Sequence, residues 1–131
     1  MKNYGSVIYN KLSTDGDVAA IVGDRIYPIE VPQGSSYPAI VYKLVSIVPD
    51  KTKTENSPLS AFNVDIHFYG EKYDVVVDLS EKVRTVLDRF KGTVEGLNVD
   101  WISYNTSNRE VYEHETNIHH NADEYLIRIK R

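Results

Sequence analysis

Two residues with chemically useful side chains, Asp65 and His67, lie two positions apart in a predicted strand. They therefore share one face, where a carboxylate could orient an imidazole base. A nucleophile and an oxyanion site would also be needed, and the sequence has no serine elbow or glycine-rich oxyanion turn. We interpret the pair as part of a solvated or subunit-facing row. The alternative is a small hydrolase-like enzyme or ligand-binding domain that uses Asp65 and His67.

A second group of possible ligands lies near the end of the chain: His114, His119 and His120, with Glu113, Glu115 and Asp123. Histidine and carboxylate side chains bind zinc, but a structural site needs about four ligands that converge. The spacing here is not helical, and neighbouring residues on a strand, such as His119 and His120, point to opposite faces. We therefore expect no metal and no cofactor, and interpret the segment as a polar loop that runs into a strand.

The composition is that of one globular domain, residues 1–131, with 41% hydrophobic and 26% charged residues. The formal net charge of -4 disfavours a role in gripping nucleic acid, which needs clustered Lys and Arg. The absence of cysteine excludes disulfides and thiol nucleophiles and fits a reducing cytoplasm. We expect neither a secretory signal nor a membrane span, because no apolar run is suitable.

The order of periodic segments predicts an α+β fold. Asn3 is suited to cap an N-terminal helix, and the long amphipathic helix is predicted over residues 73–90, with Gly92 ending it. Strands are predicted at residues 25–29, 39–48, 59–69, 99–106 and within 118–129, with a polar connection at 108–117. We expect a mostly antiparallel or mixed sheet of about four to five strands, with the helices on one face.

Two segments predict which side chains face the core. In residues 59–69 apolar and polar positions alternate, which separates Phe62, Val64, Ile66 and Phe68 from Asn63, Asp65, His67 and Tyr69. The long helix carries one apolar stripe, made by Val76, Leu79, Val83, Val86, Leu87 and Phe90.

Residues 50–57 are polar, carry mixed charges and have no apolar anchor, so we expect a mobile loop between two strands. Tyrosine is abundant, with 10 in the chain, and this residue type is enriched at protein–protein contacts. From the loop and the polar strand face we predict a subunit or partner interface that contains Asp50, Lys51, Lys53, Glu55, Asp65, His67 and Tyr69.

Three stretches, taken in their order along the chain, carry a resemblance to a known family. Residues 18–28 form a short helix entering an Arg-Ile-Tyr-Pro strand, and Pro-Gln-Gly at 32–34 precedes Tyr-Pro-Ala-Ile-Val-Tyr at 37–42. Val-Asp-Ile-His-Phe-Tyr at 64–69 then leads through Gly70 into the amphipathic helix, and residues 118–129 look like the family's final strand. In this order the sequence resembles the small tail-completion or tail-terminator proteins of long-tailed phages and prophages.

The resemblance implies a structural, non-enzymatic protein of the virion that assembles in the host cytoplasm. Such proteins are monomers when free and form a ring, a hexamer, on the completed tail tube. The ring ends tube polymerisation and joins the tail to the head connector. DNA passes through the lumen without specific binding, which the acidic balance of the chain suits. The implied partners are further copies of the chain, the tail tube protein and the head connector protein, with no membrane.

Overall fold

The amphipathic and alternating segments fold as three helices and six strands in residues 3–49 and 59–130, the part of the chain that the computed structural model describes. The helices are α1 (Tyr4–Ser13), α2 (Gly16–Val22) and α3 (Tyr73–Leu87). The strands are β1 (Ile26–Pro28), β2 (Ala39–Pro49), β3 (Leu59–Gly70), β4 (Gly92–Val94), β5 (Leu97–Glu113) and β6 (Ile118–Lys130). The predicted α+β class is confirmed. The sheet has one strand more than expected, because the three-residue β4 is too short to show a period in the sequence.

All six strands form one sheet in the order β1-β2-β3-β6-β5-β4. The β1–β2 pair is parallel and the other four pairs are antiparallel, as expected for a mostly antiparallel, mixed sheet. β3 pairs with β6 from Leu59–Lys130 to Gly70–His119, and with β2 on its other side. The most regular strand of the sequence is therefore central, and its two faces define the two faces of the sheet.

The helix α3 covers one face through the predicted stripe. Val76, Leu79, Val83 and Leu87 are fully buried, and Val86 and Phe90 pack against the same core. Burial of an aliphatic side chain of this size contributes about 1.5–3 kcal/mol, so the stripe is a main tie between the helix and the sheet.

The helix ends at Leu87, before the predicted Phe90, and Gly92 does not end it but begins β4. Asp88 is already extended, and its Oδ1 accepts a hydrogen bond from the Tyr104 backbone N–H at 3.0 Å. Arg89, with φ 66°, then donates its N–H to the Ile102 carbonyl oxygen at 2.7 Å. These bonds to β5 replace the next helical bonds, so contacts distant in sequence set the end of α3.

The first helix, α1, begins as predicted. The Asn3 side chain accepts a hydrogen bond from the Gly5 N–H, and Ser6 Oγ accepts one from the Asn3 N–H. Both bonds satisfy backbone donors that a helix start leaves without partners.

The strand β5 is much longer than the predicted 99–106, and extends through most of the segment expected to be a polar connection. Pairing with β6 supplies backbone hydrogen bonds whatever the polarity of the side chains, so the strand continues to Glu113. Three register shifts interrupt the β5–β6 pairing, at Val99/Trp101, Tyr104/Thr106 and Ser107/Arg109.

Candidate interaction surface

The alternation along β3 separates a core side from a polar side, as predicted. Val64, Ile66 and Phe68 are fully buried with the helices. Asp65 and His67 project to the opposite, helix-free face, and their side chains are 24% and 17% exposed. The structure therefore brings the predicted Asp65, His67 and Tyr69 row together on one face of the sheet.

His120 of β6 completes this row and was not predicted to belong to it. Its Nε2 lies 2.7 Å from His67 Nδ1, so one imidazole donates the hydrogen bond and the other accepts it. His67 Nε2 lies 4.0 Å from Asp65 Oδ2. Tyr69 stacks on His120 with 4.3 Å between the ring centroids and 14° between the planes. We call Asp65, His67, Tyr69 and His120 the helix-free row.

Tyr69 is partly buried within the helix-free row. Burial raises the pKa of its hydroxyl, with further contributions from the negative charge of Glu113 and from Tyr37. Its hydroxyl therefore stays protonated at neutral pH and remains available to donate a hydrogen bond. The row combines two stacked rings with polar groups, which suits contact with another protein surface.

The enzyme alternative would require Asp65 and His67 to face a substrate cavity. A groove of about 530 Å³ lies elsewhere, beside α1, and its wall includes Asn3, Tyr9 and Glu95 but neither Asp65 nor His67.

His119 and His120 point to opposite faces, as predicted from their adjacency. His119 contacts the rings of Tyr112 and Tyr73, at centroid distances of 4.7 and 5.7 Å, on the other side of the sheet from the helix-free row. Tyr73 in turn donates a hydrogen bond to the Glu110 carboxylate of β5. Within the described residues, no group of three or more His, Cys, Asp or Glu side chains is placed to hold a metal ion.

A buried polar cluster fastens α3 to β5 and β6. The Arg84 guanidinium lies 4.2 Å from the centroid of the Tyr104 ring and donates a hydrogen bond to the Tyr104 hydroxyl at 3.2 Å. Tyr104 meets Tyr125 edge to face at 5.5 Å. Burial, and next the charge of Asp123, raises the pKa of the fully buried Tyr125 well above its usual value, although Arg84 opposes the shift.

The remaining predicted interface residues, Asp50, Lys51, Lys53 and Glu55, lie outside the described residues. Several large apolar side chains within the described part are exposed on strands β2 and β5: Val45, Ile47, Trp101, Val111 and Tyr112. An exposed apolar residue on its own is ordinary; here these residues lie on the two strands that flank the β3–β6 pair, where they are candidates for contact with another protein.

Among the described helices, none has the length and apolar character needed to cross a membrane. The described residues thus form an α+β sheet with helices on one face, a polar aromatic row on the other and apolar side chains exposed along two strands, features that suit contact with other proteins. The chain matches the family described as tail completion protein gp17 over residues 6–130, and it belongs to this family. It is thus a tail-completion protein, a structural component of a phage-type virion tail.

The fold is similar to that of a chain in the solved virion of a native gene transfer agent (GTA) particle. The TM-score is 0.75 at 12% sequence identity, and the alignment covers 98% of this chain and 95% of that chain. At this identity the likeness concerns the fold. No match was found among curated proteins.

Proposed function

We propose that this protein forms a six-subunit ring that caps the completed tail tube, ends tube polymerisation and joins the tail to the head connector. The observation that carries the proposal is membership of the tail completion family over residues 6–130. The similar fold of a chain in a gene transfer agent virion supports it, because that chain belongs to an assembled particle.

The protein acts by contact and not by catalysis in this proposal. Its partners are further copies of itself, the tail tube protein and the head connector protein. The net charge of -4 suits a channel through which DNA slides, because a surface without clustered cations does not hold phosphate groups.

We assign the partner-facing role to two regions. One is the helix-free row, in which Asp65, His67 and Tyr69 offer hydrogen-bonding groups and a stacked ring. The other is the loop at residues 50–57, where mixed charges would fix the register of a contact while each exposed pair adds little affinity. Assignment of the loop residues rests on the sequence alone.

The test is tube capping in vitro. Tail tube protein encoded in the same gene neighbourhood is polymerised with and without this protein, and the products are imaged by negative-stain electron microscopy. We expect six-fold rings on tube ends and tubes that stop lengthening. Tubes that grow equally long with and without the protein, and carry no terminal ring, would show that the proposed function is wrong.

A further inference from the structure

The β2 side of the sheet has a segment of backbone that no strand of the described residues covers. β1 pairs with only three residues of β2, namely Ile40, Val41 and Tyr42. The Ile29 N–H donates to the Tyr42 carbonyl oxygen at 3.0 Å, and there the pairing ends. In a strand, the backbone N–H and C=O groups of every second residue point to the same side. On the β1 side of β2, these groups therefore face away from the sheet from Leu44 onwards, with no strand of the described residues to pair with. We call residues 43–49 the β2 free edge.

The β5 side has a second such segment. β4 pairs only with Leu97–Val99, and next Ile102 donates its N–H to the Phe90 carbonyl oxygen at 3.1 Å. The Tyr104 N–H, which donates to Asp88, is the last of these contacts. Beyond it, among the described residues, β5 is paired on its β6 side and has no strand neighbour on the other. We call residues 105–113 the β5 free edge.

A long free edge is a template for pairing with another chain, and proteins usually blunt it. Both edges contain β-bulges, at Leu44/Ser46 in β2 and at Tyr104/Thr106 and Ser107/Arg109 in β5. They nevertheless carry exposed apolar side chains: Val45 and Ile47 on β2, 54% and 53% exposed, and Val111 and Tyr112 on β5, 36% and 39% exposed. The β2 free edge has one charged residue, Lys43, whereas the β5 free edge has two carboxylates and one arginine. The edges are therefore opposite in net charge, which favours pairing with each other over pairing with themselves.

We propose that the β2 free edge of one copy pairs antiparallel with the β5 free edge of the next copy, so that neighbouring sheets in the assembly become continuous. This inference rests on the ring of the proposed function and names its subunit contact. Three successive antiparallel pairs make β5 run opposite to β2 within one chain. Rotation about a ring axis preserves strand direction along that axis, so β2 meets an antiparallel β5 in the neighbour. Such a contact uses two different surfaces, as a closed ring requires.

The positions of the edges match a cylinder. Through the strand register, Ser46 lies level with Ser103 and Leu126, whereas Arg109, the centre of the β5 free edge, pairs with Ala122. The two bulges in β5 absorb two residues, so the offset along the regular strand β6 is about four residues, or about 13 Å at 3.3 Å per residue. The four strands β2-β3-β6-β5 span about 19 Å at 4.8 Å each. An offset of about 13 Å over about 19 Å gives a strand tilt of about 35°, at the lower end of the 35–45° typical of closed barrels.

Six copies would thus contribute about 24 strands to a cylinder about 45 Å across, wide enough for a DNA duplex, given the strand spacing and tilt above. β1 and β4 do not contribute to this continuous sheet. β1 pairs with the first part of β2 and β4 with the first part of β5, and the neighbouring copies pair with the remaining parts of these two strands. Pairing through edges leaves the helix-free row available for a different partner.

The test uses engineered disulfides, because the chain has no cysteine of its own. Two double variants, K43C/V111C and I47C/S107C, place thiols at positions that one antiparallel register brings together, because both members of each strand are three paired positions apart. Two matched controls, K43C/S107C and I47C/V111C, carry the same thiols in the combination that parallel pairing would favour. Each protein is mixed with tail tubes, oxidised, and analysed on non-reducing gels and by electron microscopy. We expect roughly five-fold more crosslinked ladder, of up to six copies, in the first two variants, because a disulfide needs Cα atoms within about 7 Å.

Several outcomes separate this inference from the ring itself. Rings on tube ends without crosslinks in the first two variants would overturn edge pairing and leave the ring. Ladders in those variants, joined in open chains and not in rings, would support edge pairing and contradict the ring. Equal crosslinking in the controls would show that the strands meet in another direction or register. Equal crosslinking in single-cysteine variants would show a two-fold symmetric contact, and either result would overturn the inference. Absence of both rings and ladders would overturn both proposals.

Discussion

Gly70, the last residue of β3, lies so close to Val76 of α3 that a Cβ atom on Gly70 would be 2.7 Å from Val76 Cγ2. Real Cβ contacts are essentially never this short, and Val76 is fully buried and β-branched, so it has little freedom to move. The absence of a side chain at Gly70 is what allows the chain to turn from the sheet into the helix with the two elements in contact.

The substitution Gly70→Ala should therefore lower the free energy of unfolding by about 1–3 kcal/mol, the usual cost of overpacking a core. The measurement is urea denaturation followed by circular dichroism. Gly16→Ala is the matched control, since nothing lies within 4 Å of its added methyl group, and it should be neutral or slightly stabilising. Equal stability of the Gly70→Ala variant and the wild type would mean that the corner is looser than this contact indicates.

The substitution Val83→Asp should unfold the domain. Val83 is fully buried in the stripe of α3, and an unpaired carboxylate there costs more than about 4 kcal/mol, much of the stability of a small domain. Thr85→Asp adds the same charge on an exposed position of the same helix and should cost less than about 1 kcal/mol. Thermal melting compares the two, and a cooperative transition of Val83→Asp near the wild-type temperature would contradict the helix assignment.

Stability should fall at alkaline pH in a way that depends on Tyr125. Burial raises the pKa of this tyrosine in the folded state, whereas in the unfolded chain it ionises near about pH 10. Above that pH the unfolded state releases a proton that the folded state retains, so unfolding becomes more favourable. In Tyr125→Phe the decline should be shallower, and the exposed Tyr9→Phe is the control. Parallel stability–pH curves for all three proteins would refute this.

At neutral pH, Tyr125→Phe should be tolerated within about 1 kcal/mol, because no hydrogen-bond partner for the Tyr125 hydroxyl is found among the described residues. A larger loss at neutral pH would reveal a partner such as an ordered water.

Metal removal should not affect stability. The histidines predicted to be too scattered for a zinc site divide between the two faces of the sheet, with His119 against Tyr112 and His120 against Tyr69. Treatment with a chelator should leave the melting temperature unchanged. A clear drop that added zinc reverses would instead establish a structural metal site, because loss of a bound metal removes its binding free energy from folding.

Deletion of residues 51–56, with a short glycine linker in their place, should preserve the fold and abolish ring formation. The sequence of this segment has no apolar anchor, so no core contact is expected to be lost, whereas the proposed contact with a neighbour is removed. Circular dichroism reports the fold and electron microscopy reports rings on tubes. If the variant that lacks residues 51–56 still caps tubes, these residues are not needed for contact with a neighbouring subunit, and the proposed role is wrong.

The sequence determined the features that depend on local periodicity. The two faces of β3 and the buried stripe of α3 follow from repeats of 2 and 3.6 residues, which fix the side of each residue before any tertiary contact forms. Adjacency alone placed His119 and His120 on opposite faces, and Asp65 and His67 on one. The joint order of short motifs also indicated the family, which the match over residues 6–130 confirms.

Only the tertiary structure decided what depends on register between distant segments. The contact between His67 and His120 joins residues 53 positions apart, and a slip of β6 by one residue would have turned His120 to the other face. The end of α3 and the length of β5 likewise follow from pairing with Tyr104, Ile102 and β6, because backbone hydrogen bonds from distant strands overrode the local pattern. The two free edges also depend on contacts between distant segments. They exist because β1 and β4 are shorter than β2 and β5, the strands with which they pair, and this cannot be seen in the sequence of any one strand.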